Sequence, residues 1–144
     1  MFYGTYQHII DNKGRLIIPA KFRSQLGERF VIARIFDKCL WVFPQANWQN
    51  LEDKLKSLPI TSHKARSFSR YVFSTVEIAE CDRAGRVLIP SALREYANLK
   101  EEVVIVGCGA HIEIWDKKTW DLLPEEYEEK YDSFSEDFKE LEFR

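Results

Sequence analysis

Long apolar runs are missing from this 144-residue chain. Stretches such as Val103 to Val106 fall far short of the roughly 20 residues a membrane-spanning helix needs. The opening MFYGTYQH has neither the basic cluster nor the apolar stretch of a secretion signal. Cysteine is scarce: three residues at wide spacing, Cys39, Cys81 and Cys108, suit a reduced compartment better than a disulfide framework. Histidine is equally scarce. Cys108-Gly-Ala-His111 has one half of a metal-ligand spacing, but Cys39, Cys81, His8 and His63 are scattered and supply no second half. Gly107-Cys-Gly109 is too short for a dinucleotide loop and follows no βαβ pattern. Cys81 lies beside Asp82 with no histidine placed nearby as a base, so it reads as a small, half-buried apolar residue. No catalytic residue, metal, cofactor, small-molecule substrate or membrane partner is expected, and the chain reads as cytoplasmic.

Aromatic residues are plentiful, with four Trp, six Tyr and ten Phe. A chain of this length makes one compact unit with one main core, and those rings must be buried in it. The net charge of −2 conceals a partition. Residues 124–144 carry nine acids and three bases, leaving 18 bases against 14 acids, net +4, in residues 1–123. A basic body points toward a polyanion partner, although many soluble domains carry as much charge.

The chain also repeats itself. Residues 11–23 read DNKGRLIIPAKFR, and 71 positions later residues 82–94 read DRAGRVLIPSALR, with six identities (Asp, Gly, Arg, Ile, Pro, Arg). The repeat continues: Phe30-Val31-Ile32 corresponds to Val103-Val104-Ile105, and LWVFPQANWQNL at 40–51 to IEIWDKKTWDLL at 112–123. In each copy Asp at the first position and Gly at the fourth predict a type I turn closed by a residue of positive φ. β-rich runs flank it, so DNKG and DRAG read as hairpin tips. Pro19 and Pro90 end a strand and open a short helix, and two more strands follow in each half. Trp48, Leu51, Leu55 and Leu58 fall at helical spacing before Pro59. Residues 62–74 predict a second helix with Ala65, Phe68, Tyr71 and Val72 on one face and Lys64, Arg66 and Arg70 mostly off it. Trp120, Leu123, Tyr127, Tyr131, Phe134, Phe138 and Leu141 step by three or four, with Pro124 expected to divide that stretch. This stripe either closes the chain's own core or meets another subunit, and its length favours the second.

The boundaries that result are a first unit at 1–50, a helical connector at 51–75, a second unit at 76–120 and an acidic C-terminal helix or tail at 121–144. Forty residues of short strands cannot bury enough surface to fold alone, whereas two copies can share a core about a pseudo-twofold axis. That arrangement sets out two equivalent basic loops, which suits duplex nucleic acid.

The doubled D-x-x-x-R turn followed by I-P resembles the bacterial MraZ family, which belongs to the AbrB-like, swapped-hairpin transcription factors; the resemblance covers nearly the whole chain. It implies an α+β, mainly β fold in which two AbrB-like swapped-hairpin units form a pseudo-twofold β-barrel, with helices between the halves and at the C-terminus. It also implies a non-enzymatic, nucleoid-associated regulator. Such a protein binds short direct repeats of double-stranded promoter DNA as a homo-oligomeric ring, and represses its own gene and the division and cell wall gene cluster. A protein-binding, antitoxin-like scaffold of the same superfamily is the alternative.

Arg15 and Arg86, each following a Gly, are the leading DNA-binding candidates, able to reach a phosphate or a guanine edge; the plainer reading pairs each with the Asp four positions earlier. Asp11 and Asp82 would repel phosphate, so they are read as turn-capping or Arg-orienting, with Gly14 and Gly85 supplying backbone geometry. Lys13, Lys21 and Arg23 around the first turn, and Arg83 and Arg94 around the second, are either phosphate contacts or solvated charges. The second copy replaces Lys13 and Lys21 by Ala84 and Ala92, and Asn12 by Arg83, so the halves are not expected to contact DNA equally.

Overall fold

Eight strands and five helices make up the computed structural model, which describes residues 1–139. In chain order they are β1 (Thr5–Ile9), β2 (Arg15–Ile17), α1 (Ala20–Leu26), β3 (Phe30–Ala33), β4 (Leu40–Pro44), α2 (Gln45–Lys56), α3 (His63–Phe73), β5 (Glu77–Ala79), β6 (Arg86–Leu88), α4 (Ser91–Ala97), β7 (Glu102–Gly107), β8 (Ile112–Asp116) and α5 (Lys117–Asp137). The class is α+β, with strands outnumbering helices among the described residues.

Six strands form one sheet in the order β1-β7-β8-β4-β3-β5, and β2 and β6 form a separate two-stranded ribbon. Exchanging the halves (β1 for β5, β2 for β6, β3 for β7, β4 for β8) reverses the sheet order onto itself, which is the mark of a pseudo-twofold. The sheet is open: β1 and β5 are its edges, and no ladder joins them into a barrel among the described residues. The local turns form, but the hairpins drawn from them do not. Tyr6 pairs with Ile105 in β7 rather than with β2, and Leu16 pairs with Val87 in β6. In the same way β5 pairs with β3, placing Ile78 beside Val31. Among the described residues only β3–β4 and β7–β8 pair within a half. Each half therefore supplies what the other needs to satisfy its backbone.

The main core lies between the ribbon and the sheet. Leu16, Ile18 and Phe22 of the first half meet Val87, Ile89 and Leu93 of the second, above Ile32, Ile105, Ile112 and Ile114 of the sheet. These residues are 0–3% exposed, and each is worth roughly 1.5–3 kcal/mol of burial. A second cluster, with Phe43, Trp48, Leu55 and Val72, forms where α2 and α3 cover β3 and β4. Phe68 and Tyr71 pack against it, so the apolar face read for residues 62–74 does point inward. Ser62 caps α3, its hydroxyl accepting from the Ala65 N–H at 3.2 Å.

Asp116 caps helix α5, its carboxylate accepting from the Thr119 N–H at 3.2 Å and from the Thr119 hydroxyl at 3.0 Å. It runs unbroken through Pro124 to Asp137, so the proline does not divide it. Proline removes one ladder bond at a cost of about 3 kcal/mol. Good helix formers on both sides, and a Glu126–Lys130 pair at 3.2 Å, carry the turn onward. Trp120 and Leu123 pack beside Trp115 and Cys39. Beyond them the stripe is largely exposed: Tyr127, Tyr131 and Phe138 are 50–68% exposed, Phe134 is half-buried beside Tyr127, and α5 has no buried residue. Leu141, the last of the stripe, lies outside the described residues. No described helix is long and apolar enough to cross a membrane.

Candidate nucleic-acid interface

Two nearly superposable turns flank the ribbon. In the first, the Gly14 N–H reaches the Asp11 carbonyl at 3.0 Å and the Asp11 N–H reaches the Arg15 carbonyl at 2.9 Å. In the second, Gly85 bonds Asp82 at 3.0 Å and Asp82 bonds Arg86 at 2.8 Å. Gly14 and Gly85 stand at φ 84° and 79°, in the left-handed region that disfavours other residues.

The aspartates organise both turns. One oxygen of Asp11 accepts from the backbone N–H of Lys13 at 2.9 Å and of Arg15 at 2.8 Å; the other accepts from Arg15 Nε at 2.8 Å. Asp82 does the same with Ala84 and Arg86, at 2.9, 2.9 and 2.8 Å. The Arg15 N–H, followed by the guanidinium and the Lys13 N–H, holds the Asp11 carboxyl below the usual range against some desolvation. Arg86 and Ala84 do the same for Asp82. Both arginines are thus tethered through Nε while their side chains stay 34% and 35% exposed. Among the described residues no other hydrogen bond engages either guanidinium, so Nη1 and Nη2 remain for an outside acceptor.

Strand alternation gives the ribbon two faces. Leu16 and Val87 point into the core at 0% and 1% exposure. Arg15, Ile17, Arg86 and Leu88 occupy the other face. Lys13 and Arg83 are exposed in the turns, and Lys21 is exposed on α1.

Arg23 and Arg94 sit differently. Each comes from the last turn of a short helix and reaches the opposite half's turn. Arg94 Nε donates to the Ile89 carbonyl at 2.9 Å, and its guanidinium fills the space beside Gly14, where a Cβ would lie 2.7 Å from Cζ. Arg23 lies against Gly85 in the same manner, with its Nε buried and without a partner among the described residues. The ribbon ends are laced by the Ile18 N–H to the Gly85 carbonyl, 3.0 Å, and the Ile89 N–H to the Gly14 carbonyl, 2.8 Å. Sequence reasoning set Arg23 and Arg94 among the surface bases. The signal for a separate role was their identity in both copies, where the lysines beside them change to alanine.

One grouping escaped the sequence. Cys108, His111 and Glu113 bring ligand atoms within 4.8 Å of one another at the β7–β8 turn. Glu113, two residues after His111 on β8, was the missing third member. Its oxygens bond His111 Nε2 at 2.9 Å and accept from Trp115 Nε1 at 2.8 Å, while the His111 ring stacks on Trp41 at 3.8 Å. Burial pushes the Glu113 carboxyl up, and the His111 and Trp115 donors outweigh it, leaving it below its ordinary value. Glu113 joins His111 and Trp115, and the Cys108 thiol faces the Val106 carbonyl at 3.8 Å, so these contacts fasten the turn.

The architecture and site together define a class: a duplicated, strand-exchanged α+β protein that presents a basic two-stranded ribbon. The family described as "MraZ protein, putative antitoxin-like" matches twice, over residues 1–71 and 73–142. A protein of Halothermothrix orenii is 50% identical over 141 residues, covering 98% of this chain and 99% of its own. Proteins of Desulforamulus reducens and Moorella thermoacetica are 47% and 48% identical, covering 98% and 94% of this chain and 99% and 95% of theirs. All three are named "Transcriptional regulator MraZ". The chain belongs to the MraZ family.

Proposed function

We propose that the chain is a non-enzymatic, sequence-specific DNA-binding transcriptional regulator that seats its β2–β6 ribbon in the major groove of double-stranded DNA. The observation carrying this reading is the pair of Asp-tethered arginines on the outer ribbon face. An arginine bound through Nε keeps both Nη groups, which match the N7 and O6 acceptors of guanine. Lys13, Lys21 and Arg83 act as phosphate contacts around it. Arg23 and Arg94 act chiefly by holding the turns that aim Arg15 and Arg86.

A net charge of +4 on the body makes one chain a weak binder at physiological salt. Copies joined through the largely exposed aromatic stripe of α5 engage successive direct repeats, each later contact being effectively intramolecular, which raises affinity by ~10²–10⁴. On the family resemblance, a ring of such copies in the nucleoid represses its own promoter and the division and cell wall genes. A protein-binding, antitoxin-like role draws on the same exposed stripe.

The test is binding by fluorescence anisotropy to duplexes from the region upstream of the chain's own coding sequence, carrying one, two or three repeats. Arg15→Ala and Arg86→Ala should each weaken binding by roughly 1–3 kcal/mol if they read guanine. If they meet phosphate instead, the salt slope falls by about 0.9 for each phosphate no longer neutralised. Unchanged DNA binding in the double variant would remove the proposal, and a protein partner still captured by that variant would favour the scaffold.

A further inference from the structure

The outer face of the ribbon is only half basic. Register sets Arg15 opposite Leu88 and Ile17 opposite Arg86, so two arginines and two aliphatic residues alternate around a small four-cornered patch. Ile17 is 44% exposed and Leu88 59%. A strand face turned to water ordinarily carries polar residues, yet both halves place a large aliphatic side chain two residues after the arginine. Their inward neighbours, Leu16 and Val87, already fill the core, so these outer side chains add nothing to it.

We infer that Ile17 and Leu88 are specificity-determining residues that contact the C5-methyl group of thymine beside the bases met by Arg86 and Arg15. This rests on the DNA-binding reading above. The major groove admits a two-stranded ribbon, and the thymine methyl is the apolar feature among the base-edge groups it presents. Facing residues on a ribbon lie about 5 Å apart, and residues two apart on one strand about 6.8 Å. With base steps of about 3.4 Å, each aliphatic residue falls within about two steps of the base its neighbouring arginine reads. The arginines fix the ribbon on guanine; the aliphatic pair favours thymine over cytosine, which lacks the C5-methyl and presents an amino donor where thymine presents O4.

The decisive measurement uses the full-length wild-type protein, so no variant has to fold. Thymines in an upstream duplex are replaced singly by deoxyuridine, which pairs identically and lacks only the methyl. Affinity should fall about fourfold, the worth of one buried methyl-sized group, at one or two thymines within two base pairs of a guanine whose replacement abolishes binding. Ile17→Ala or Leu88→Ala should weaken binding to the thymine duplex and erase the deoxyuridine effect at the matching position. Wild-type protein indifferent to every deoxyuridine, with Arg15→Ala still weakening binding, would overturn the methyl contact and leave the DNA reading standing. If Arg15→Ala plus Arg86→Ala binds like wild type, the DNA reading itself falls. Ile17→Ala binding that weakens equally on both duplexes would instead indicate an apolar wedge between bases and would also overturn the proposal.

Discussion

Gly85 and Arg23 occupy adjoining space across the pseudo-twofold: a Cβ on Gly85 would lie 1.8 Å from Arg23 Nη1 and 2.5 Å from Cζ. The glycine is thus fixed twice, by its φ of 79° and by the guanidinium beside it. Gly85→Ala should cost about 1–3 kcal/mol from backbone strain alone, with displacement of Arg23 added. Chemical denaturation would measure it. In the double variant with Arg23→Ala, the steric part should disappear and the backbone part remain, so the two changes should be non-additive.

The Asp82–Arg86 tether gives a prediction whose sign is informative. Removing a negative charge next to a polyanion site should strengthen DNA binding if charge alone matters. If the carboxylate aims the guanidinium, Asp82→Asn should weaken binding, by about tenfold for a 1.4 kcal/mol penalty. Fluorescence anisotropy with one duplex decides between them.

The same carboxylates titrate. Asp11 and Asp82 both have lowered folded-state values, so the stability they lend is present above the unfolded value of about 3.9. It is lost as pH falls through the lower folded value. Asp11→Asn plus Asp82→Asn should therefore flatten the loss of stability below about pH 4. A melting series across that range that overlays wild type after subtraction of a constant would contradict this.

Cys108 is exposed, yet burial of its sulfur and the nearby Glu113 carboxylate push its thiol up to about 12. Alkylation at neutral pH should be slow, because the thiolate is the nucleophile. Glu113→Gln should speed it, and a mass-resolved labelling rate would show which occurs. Cys39, fully buried and raised further, should label only on unfolding.

Under the proposed assembly, helix α5 beyond Leu123 serves subunit contact rather than folding. Deleting residues 124–144 removes the largely exposed stripe but keeps Trp120 and Leu123, which pack on the body. The truncated chain should melt close to the intact one. It should run smaller by light scattering and lose the gain in affinity from one DNA repeat to three.

Much of this was legible in the residues. Asp, Gly and Pro at fixed offsets announce the turns, and the repeat announces the doubling. The inward face of α3 follows from the spacing of Phe68, Tyr71 and Val72. Strand partners were not legible. Tyr6 to Ile10 and Leu16 to Ile18 bracket a tight turn, and local rules join them; burial of Leu16 against Val87, residues far apart in sequence, sends them elsewhere. Pro124 misled for a similar reason, since one missing hydrogen bond is tolerated within a long run of helix formers. Arg23 and Arg94 looked like surface charge because their neighbour, a glycine in the other half, is invisible to local pattern.

Because the two ends of the ribbon are built alike but furnished unequally, with Lys13 and Lys21 at one and Ala84 and Ala92 at the other, the molecule has a heading. Turned end for end on a duplex, it would offer a different grip. A ligand matched to it must itself run one way, so copies laid side by side would all face the same direction, like tiles rather than mirror images.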